Sequence, residues 1–458
     1  MAVRESVEID LDRVDRLIQE QEAELEPRHR ASIEYRKDAE RHVAGGVASS
    51  WQASPPHAIF IDRGDGSRIW DIDGNEYIDY HLGYGAMVVG HAHPAIVEAI
   101  RRQAARGTHF AQPTRDLDVI GENLAERFSL PLWRFCNSGT EATLEAARLM
   151  RAKTGRDLLI KIEGTYHGHH DSLMFSVIPD PELMGPREHP VTVPQAPGIP
   201  QAFADLVRVV PFNDLAAARQ AFEEHPGEVA GMILEPAMMN CGVVLPEPGY
   251  LQGLADLCHE FGGYLAFDEV KTGAALAYGG AVEAFGVVPD IVCLAKAIGG
   301  GTPCGAIGAT EELFALVVGG EYDMAGTFNG NPLTMAATRA TLTQVLTRDA
   351  YPALDRLHGL LDERLSAVIE RYRLPAYVTG LGAKGSVIYS PTPVREYRDA
   401  LGIDERITYL AWLFQQNGGV FKSPWSKQET WTLSVAHTDG DVQRYVENFD
   451  AFARAVTT

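Results

Sequence analysis

Short apolar runs alternate with segments of helical periodicity through the middle of the chain, from about residue 132 to residue 308. Apolar runs of this length are typical of buried strands, and apolar residues at every third or fourth position are typical of helices. Their regular alternation is typical of βαβ units, in which helices flank a mainly parallel sheet. The pattern therefore predicts an α/β fold for the largest part of the chain.

The two ends of the chain carry different patterns. Helix-period apolar residues among many charges near the start predict a helical arm that is suited to pack on a partner subunit. The segment 59–80 alternates apolar and polar residues around Asp-Gly pairs, which predicts an antiparallel meander. A long helical segment, strand-like pieces and a closing helix follow residue 349 and, with the meander, predict a smaller α+β domain. The expected units are the arm (1–45), the first part of the small domain (46–100), the large domain (101–348) and the last part of the small domain (349–458).

Several apolar runs of the middle region end in polar residues. In an open α/β sheet, ligands bind at the carboxyl ends of the strands, where such residues meet in one crevice. The pattern therefore predicts that one site contains Asn137 to Thr140, Tyr166, Glu235, Asp268 and Lys296.

Lys296 and Asp268 together indicate the chemistry of this site. Lys296 closes the apolar run IVCLA, and burial among apolar groups lowers the pKa of a lysine, which frees its amine to form a Schiff base with an aldehyde. Asp268 closes the neighbouring run, and a carboxylate there suits pyridoxal phosphate because it keeps the pyridine nitrogen protonated. The pair predicts a pyridoxal phosphate site.

The remaining parts of such a site also occur in the sequence. Ser138, Gly139 and Thr140 precede a helix predicted from residue 141 to about residue 153, whose N-terminus and hydroxyls would bind a phosphate. Tyr166 is placed to stack on one face of a planar ring, and Val270 is placed to pack on the other.

Each of these features has an ordinary structural explanation when taken alone. A single lysine is usually a surface residue and SGTEA is an ordinary helix start, but the ordered set of phosphate loop, aromatic residue, acid and lysine favours the functional interpretation.

His167, His169 and His170 lack the spacing of a metal site, so we expect a solvated or cofactor-edge loop and no metal. Gly299 to Gly301 lack a following GK[ST], so they predict close backbone approach rather than a nucleotide phosphate loop.

Composition narrows the class of protein further. The formal net charge of -22 over 458 residues opposes nucleic-acid binding, and no apolar span is long enough for a membrane helix. The first residues lack the apolar core of a signal peptide, so we expect a cytoplasmic enzyme. The five cysteines have neither disulfide nor zinc spacing, which predicts free thiols.

The motifs identify the chain as similar to a known family. WDIDGNEYIDY, NSGTEAT, YHGHHD, FDEV, VPDIVCLAKAIGGGTPCGAIG and GTFNGNP resemble class III (fold type I) pyridoxal-phosphate aminotransferases, a group that includes glutamate-1-semialdehyde aminomutases and ω- and β-amino-acid transaminases. The resemblance implies a large domain with a mainly parallel seven-stranded sheet. It also implies that Lys296 binds the cofactor covalently, that Asp268 pairs with the ring nitrogen, and that Ser138, Gly139 and Thr140 hold the phosphate. In the same way, Tyr166, His167, Glu235, Asn240 and Val270 would line the site, and Thr327 would complete the phosphate site of the partner subunit in a homodimer.

The chain departs from the aminomutase pattern at the expected substrate site. Gln52 stands where an arginine would bind the substrate carboxylate, and Ala274 and Ala275 replace a phenylalanine and an arginine. Glutamine cannot make the charged bidentate bond of arginine, and Trp51 offers an apolar surface instead. Lys427 is a further candidate for binding a carboxylate.

Three functions follow from the sequence. The first is an aminotransferase that moves an amino group from an amine or β-amino acid to a keto acid or aldehyde. The alternative is glutamate-1-semialdehyde 2,1-aminomutase, an isomerase that keeps the amino group within one substrate. The third is a nucleotide-binding module without chemistry, which the absence of a dinucleotide or triphosphate motif disfavours.

Overall fold

The strands of the computed structural model, which describes residues 6–53, 55–423 and 429–457, form three sheets. In chain order they are β1 Ile61–Asp65, β2 Arg68–Asp71, β3 Glu76–Asp79, β4 Leu132–Cys136, β5 Leu158–Ile162, β6 Val207–Val210, β7 Val229–Leu234, β8 Tyr264–Asp268, β9 Ile291–Ala295, β10 Gly305–Ala309, β11 Tyr377–Leu381, β12 Lys384–Ile388, β13 Val420–Phe421 and β14 Glu429–Thr432.

The largest sheet has seven strands in the order β4-β10-β9-β8-β7-β5-β6. Strand β10 runs antiparallel to its neighbours β4 and β9, and every other neighbouring pair is parallel. Strands β5, β7 and β9 are buried along their whole length, as expected when helices cover both faces of a sheet. The predicted α/β fold with a mainly parallel sheet is confirmed.

Helices cover this sheet and build the rest of the molecule. In chain order they are α1 Leu11–Leu25, α2 Arg30–Ala39, α3 Leu82–Gly85, α4 Pro94–Ala104, α5 Asp116–Phe128, α6 Gly139–Thr154, α7 Gln201–Ala204, α8 Leu215–Glu224, α9 Tyr250–Glu260, α10 Gly280–Phe285, α11 Glu311–Val318, α12 Pro332–Ala340, α13 Tyr351–Tyr372, α14 Tyr397–Ala400, α15 Glu405–Asn417 and α16 Asp439–Thr457. Successive residues of β5 face opposite sides, since Leu159 packs in the apolar cluster beneath α6 and Ile160 in the cluster that includes α9.

The smaller domain combines both ends of the chain. Strands β1, β2 and β3 form the predicted antiparallel meander, and β13 from the C-terminal segment pairs in parallel with β3. Strands β11, β12 and β14 form a separate antiparallel sheet. A small α+β unit built from N- and C-terminal segments is therefore confirmed, and the residue limits of the domains stay a prediction.

The N-terminal arm packs on its own chain. Its first helix, α1, begins after Asp10, whose carboxylate accepts hydrogen bonds from two backbone N–H groups of the first turn. Leu25 packs on Trp412 and Leu413 of α15, and Arg406 of α15 lies 2.9 Å from the Asp15 carboxylate. The apolar face of this helix is covered by α15 of its own chain, and packing of the arm on a partner subunit stays a prediction.

The fold brings the candidate residues to one edge of the large sheet. Strands β4, β5, β7, β8 and β9 all end there, because they run in the same direction. The five cysteines are buried and unpaired, as predicted. No helix in the described ranges has the length and apolar character needed to cross a bilayer.

Candidate active site

A cavity of about 390 Å³, here called the edge cavity, lies at the carboxyl ends of these strands. Its volume is in the range of pockets that bind small molecules and cofactors. The predicted residues that line it are Trp51, Ser138, Gly139, Thr140, Tyr166, His167, Glu235, Asn240, Asp268, Val270 and Lys296. The sequence pattern therefore identified most of its polar wall.

Lys296 follows the last residue of β9 in a strained backbone conformation. Its φ is 50°, in the left-handed region that non-glycine residues rarely adopt, and such strain is concentrated at functional sites. The pKa of its amine is lowered to about 8, first by burial and second by the positive charge of Lys271. The carboxylates of Asp268 and Glu235 oppose this shift. Lys296 is therefore a lysine whose free amine is available near neutral pH.

The glycines after Lys296 allow the chain to turn tightly behind it. Gly300 has a φ of 56°, and a Cβ atom there would lie 2.2 Å from the Thr341 hydroxyl oxygen. A side chain at this position would force the segment away from helix α12 and its continuation. The predicted close backbone approach is confirmed.

Asp268 is held by two hydrogen bonds and still faces the edge cavity. The backbone N–H of Val270 donates to Asp268 Oδ1 over 3.0 Å, and His167 Nδ1 donates to Oδ2 over 2.7 Å. His167 is buried, and its Nε2 atom has no hydrogen-bond partner among the described residues. The histidine orients the carboxylate and lines the edge cavity, so of the two expected environments His167 has the cofactor-edge one, whereas His169 is exposed.

The N-terminus of α6 forms the anion-binding end of the edge cavity. Ser138 caps the helix, its hydroxyl accepting from the Glu141 N–H over 3.1 Å, and Gly155 ends it with a φ of 67°. A Cβ atom on Gly139 would lie 2.8 Å from both methyl groups of Val270, so only glycine lets the first turn approach the residue predicted to pack on the ring. This helix start fits a phosphate group.

Tyr166 belongs to a hydrogen-bonded network across the cavity wall. Its backbone N–H donates to Glu235 Oε1 over 2.9 Å, and Asn240 donates to the same oxygen through its side-chain amide. Lys271 in turn donates to the Asn240 side chain and to the Met239 carbonyl. The Trp51 ring packs edge-on against the Tyr166 ring with centroids 5.2 Å apart. These contacts fix the aromatic wall.

The groups of the edge cavity fit pyridoxal phosphate. A helix N-terminus with two hydroxyls suits the phosphate, a carboxylate oriented by histidine suits a pyridine nitrogen, and a lysine of lowered pKa suits an aldehyde. His167 also lines the edge cavity, and its buried Nε2 atom has no hydrogen-bond partner in the described part of the chain.

A second cavity of about 320 Å³, here called the adjoining cavity, shares Trp51, Tyr166, Asn240 and Lys271 with the edge cavity. Its walls are mainly apolar and aromatic, and they include Tyr84, Met174, Val177, Ile178, Met239, Val243 and Trp431. The lining also contains polar side chains: His81, Gln195, Asn240, Lys271, Lys384, Ser423, Thr430 and Thr432. The adjoining cavity is therefore the place where a substrate would extend from the edge cavity.

The residues predicted to bind substrate have different positions. Trp51 lines both cavities, as an apolar wall should. Gln52 lines neither; its side-chain oxygen accepts from the backbone N–H groups of Ala48 and Ser49 and so caps its own loop. Thr327 is exposed and is not part of the edge-cavity lining. Lys427 lies outside the described residues.

Of the histidines and lysines that line the two cavities, sequence analysis missed His81, Lys271 and Lys384. Lys271 stands three residues after Asp268, and Lys384 begins a strand of buried residues just as Lys296 follows one. The same signal that identified Lys296, a lysine in an apolar context, was therefore present at Lys384. Within the described ranges, no group of three His, Cys, Asp or Glu side chains could hold a metal ion.

Comparison with known proteins gives a consistent result. The model of the family described as aminotransferase class-III matches residues 49–407. The chain is 39% identical to a glutamate-1-semialdehyde 2,1-aminomutase of Staphylococcus carnosus over 93% of this chain and 98% of that protein. Among solved structures, an omega-transaminase from Sphaerobacter thermophilus is similar with a TM-score of 0.89 and 33% identity, covering 93% of this chain and 98% of that one. A glutamate-1-semialdehyde aminomutase from Pseudomonas aeruginosa has the same TM-score with 30% identity, covering 98% and 99%.

The charge of Lys271 should be measurable in the reactivity of Lys296. Only the neutral amine attacks an aldehyde, so the rate at which pyridoxal phosphate attaches to the cofactor-free protein should rise with pH through about 8 and then level off. In Lys271→Met, a positive charge that lowers the pKa of Lys296 is gone, and the midpoint should move to higher pH. Absorbance after mixing gives the rate, with Lys296→Ala as the blank and Lys153→Met as the matched control. A midpoint that stays in place or falls in Lys271→Met would contradict the interaction.

Proposed function

The chain belongs to the class III aminotransferase family of pyridoxal-phosphate enzymes, and we propose that it is an aminomutase that moves an amino group between neighbouring carbons of one small carboxylic substrate. The observation that carries this proposal is the similarity over nearly the whole chain to glutamate-1-semialdehyde 2,1-aminomutases. The sequence pattern alone put intermolecular transamination first; the curated relatives favour the isomerase, which was the alternative.

The site residues have distinct tasks in this proposal. Bound pyridoxal phosphate supplies an aldehyde for reaction with amines and a ring that withdraws electrons. Asp268, oriented by His167, keeps the ring nitrogen protonated. Backbone N–H groups at the start of α6 and the hydroxyls of Ser138 and Thr140 bind the phosphate. Tyr166 and Val270 pack on opposite faces of the ring.

Lys296 is the proposed general acid and base. Its lowered pKa of about 8 leaves a substantial fraction of free amine near neutral pH, so Nζ can take a proton from one substrate carbon and return it to the other. Closure of the site by Trp51 and Tyr166 limits the access of water to these transfers.

A homodimer is part of the proposal. Thr327 is exposed and stands apart from the edge cavity of its own chain, which suits a residue that completes the phosphate site of a partner subunit. The neighbouring Phe328 is also exposed, at 57%, as an interface residue would be in an isolated chain.

Intermolecular transamination is the second candidate, and two observations favour it. Gln52 binds its own loop where the aminomutase pattern has an arginine, and the adjoining cavity is wide and mainly apolar. Both suit an amino acid or amine with a bulky apolar group, and the likeness to an omega-transaminase supports the same conclusion.

A product assay separates the two candidates. Cofactor-loaded enzyme is given glutamate 1-semialdehyde alone in one reaction, and 3-amino-3-phenylpropanoate with pyruvate in another. The proposal expects 5-aminolevulinate from the first reaction without any added amino acceptor. Alanine from the second reaction, with no 5-aminolevulinate from the first, would replace the aminomutase by the transaminase.

Loss of the Lys296 amine should separate binding from turnover. Lys296→Ala removes the proposed acid and base while the phosphate site and Asp268 remain, so the protein should still bind cofactor. We expect turnover to fall by about 10²-fold or more, the usual contribution of a positioned acid or base. Absorbance of the purified protein reports cofactor, and the product assay reports turnover. Lys153→Ala, at a lysine paired with Glu312 away from the site, is the control, and an active Lys296→Ala enzyme would refute the role of Lys296.

A further inference from the structure

Lys384 is a buried lysine in the wall of the adjoining cavity. It is the first residue of β12, its exposed fraction is 6%, and it lies opposite Thr432 of β14 in the antiparallel register. Its amine donates a hydrogen bond to the Thr432 hydroxyl over 2.9 Å. The strand pair therefore holds the end of this side chain at a fixed place in the cavity wall.

No acidic side chain in the described ranges balances Lys384. No carboxylate of those ranges lies within ion-pair distance of its amine, and the charged groups that act on it are two further lysines, Lys271 and Lys296. Burial and these two charges hold the pKa of Lys384 well below its usual range. A buried cation without a counter-charge is costly, and a bound anion would remove that cost.

The fold keeps space for this amine. Gly85, at the end of α3, has a φ of 90°, and a Cβ atom there would lie 2.1 Å from Lys384 Nζ. Any other residue at position 85 would both strain the backbone and displace the amine. The gap left by this glycine therefore admits the lysine head group to the cavity.

His81 adds a second polar group to the same place. It lines the adjoining cavity, and its Nε2 atom is buried without a hydrogen-bond partner in the described part of the chain. Burial lowers the pKa of His81 to about 4, and the charges of Lys384 and Lys271 act in the same direction, whereas Asp79 opposes them. The ring is therefore neutral at pH 7 and can donate one hydrogen bond from Nε2.

Gln52, which stands where the aminomutase pattern has a carboxylate-binding arginine, lines neither cavity. Gln52 is exposed, and its side-chain oxygen is used by the backbone of its own turn. Lys271 is also committed, since its amine already donates to Met239 and Asn240. Lys384 is the lysine of the adjoining cavity that makes a single hydrogen bond within the described residues.

We propose that Lys384 binds the carboxylate of the substrate, with Thr432 positioning its amine and His81 donating a second hydrogen bond. This inference rests on the proposed function, because it assigns the carboxylate of an amino acid substrate whose amino group reacts in the edge cavity. It holds for the aminomutase and for a transaminase of amino acids. In this proposal, the cation that binds the carboxylate belongs to strand β12 of the C-terminal segment, whereas in the aminomutase pattern it is an arginine at the position of Gln52.

The test compares probes that differ only in the carboxylate-bearing group. One pair is 5-aminolevulinate and aminoacetone, and the other is 3-amino-3-phenylpropanoate and 1-phenylethylamine. Each is titrated into the holoenzyme, and the change in cofactor absorbance gives the half-saturating concentration. We consider each pair that changes the cofactor absorbance of the wild type. In Lys384→Met, the half-saturating concentration of the acid should rise by about 10- to 100-fold, which is the usual effect of losing a charged hydrogen bond. The half-saturating concentration of the amine that lacks the carboxylate should change little.

Three further variants make the comparison specific. Lys384→Arg should retain most of the preference for the acid, Thr432→Val should lose part of it, and Lys153→Met should behave as the wild type. Cofactor absorbance and thermal midpoint confirm that each variant is folded. If Lys384→Met does not fold, the preference for the acid is compared between Thr432→Val and Lys384→Arg, and a smaller preference in Thr432→Val supports the role of Lys384.

Proton uptake gives an independent readout. Lys271, Lys296 and His81 interact electrostatically with Lys384, and Tyr80 and Tyr84 line the same cavity. A bound carboxylate favours the charged form of Lys384. Calorimetry in two buffers of different ionisation enthalpy should therefore show uptake of protons when the acid probe binds the wild type, and less in Lys384→Met.

The outcomes separate the two proposals. Equal losses for both members of a pair, or no loss for either, would overturn the role of Lys384 and leave the proposed function intact. A wild-type protein that binds pyridoxal phosphate but responds to the amines alone would overturn both the role of Lys384 and the proposed aminomutase. A wild-type protein that takes up no cofactor would refute the proposed function, and this inference with it.

Discussion

The desolvation of Lys296 is the constraint on which the rest of the site depends. The end of β9 carries the lysine out of a fully buried strand, and its backbone is held at a positive φ by the tight glycine turn behind it. A buried ammonium is costly, so the surroundings must either balance the charge or favour the neutral amine. Asp268 and Glu235 act in the first direction, while burial and Lys271 act in the second. The lowered pKa is the net result of these opposing contributions.

The same balance explains why the two cavities differ. In the edge cavity, acids and lysines are intermixed, and Glu235 is tied to the backbone of Tyr166 and to Asn240. In the adjoining cavity, Lys384 lies among apolar and aromatic walls without an acid from the described residues. The charges of the edge cavity therefore largely balance one another, apart from the phosphate site. The adjoining cavity lacks negative charge, which a substrate carboxylate would bring.

Sequence analysis could predict which residues lie close together where their closeness follows from the order of the strands in the sheet. Asn137, Tyr166, Asp268 and Lys296 each follow a strand of one mainly parallel sheet, so their meeting at one edge could be predicted from the order of the strands. His167 could be placed near this edge, but its bond to Asp268 depends on how a loop folds inwards. Lys384 could not be placed, because β12 belongs to another sheet whose position beside the adjoining cavity is a tertiary contact. Gln52 was identified as a departure, whereas its use as a cap for its own loop needed the coordinates.

The proposed cofactor residues and the proposed substrate residues lie in different parts of the chain, which fits the finding that similar chains include aminomutases and transaminases. The residues that we propose for covalent attachment of the cofactor, protonation of its ring and binding of its phosphate belong to the large domain, and they would serve an aminomutase and a transaminase equally. What we propose to differ is how the remainder of the substrate is held, and in this chain the candidate residues are Trp51, His81 and Lys384 from the N- and C-terminal segments. In the proposed assignment, the chemistry therefore depends on the edge of the large sheet, whereas recognition of the substrate depends on residues of both domains.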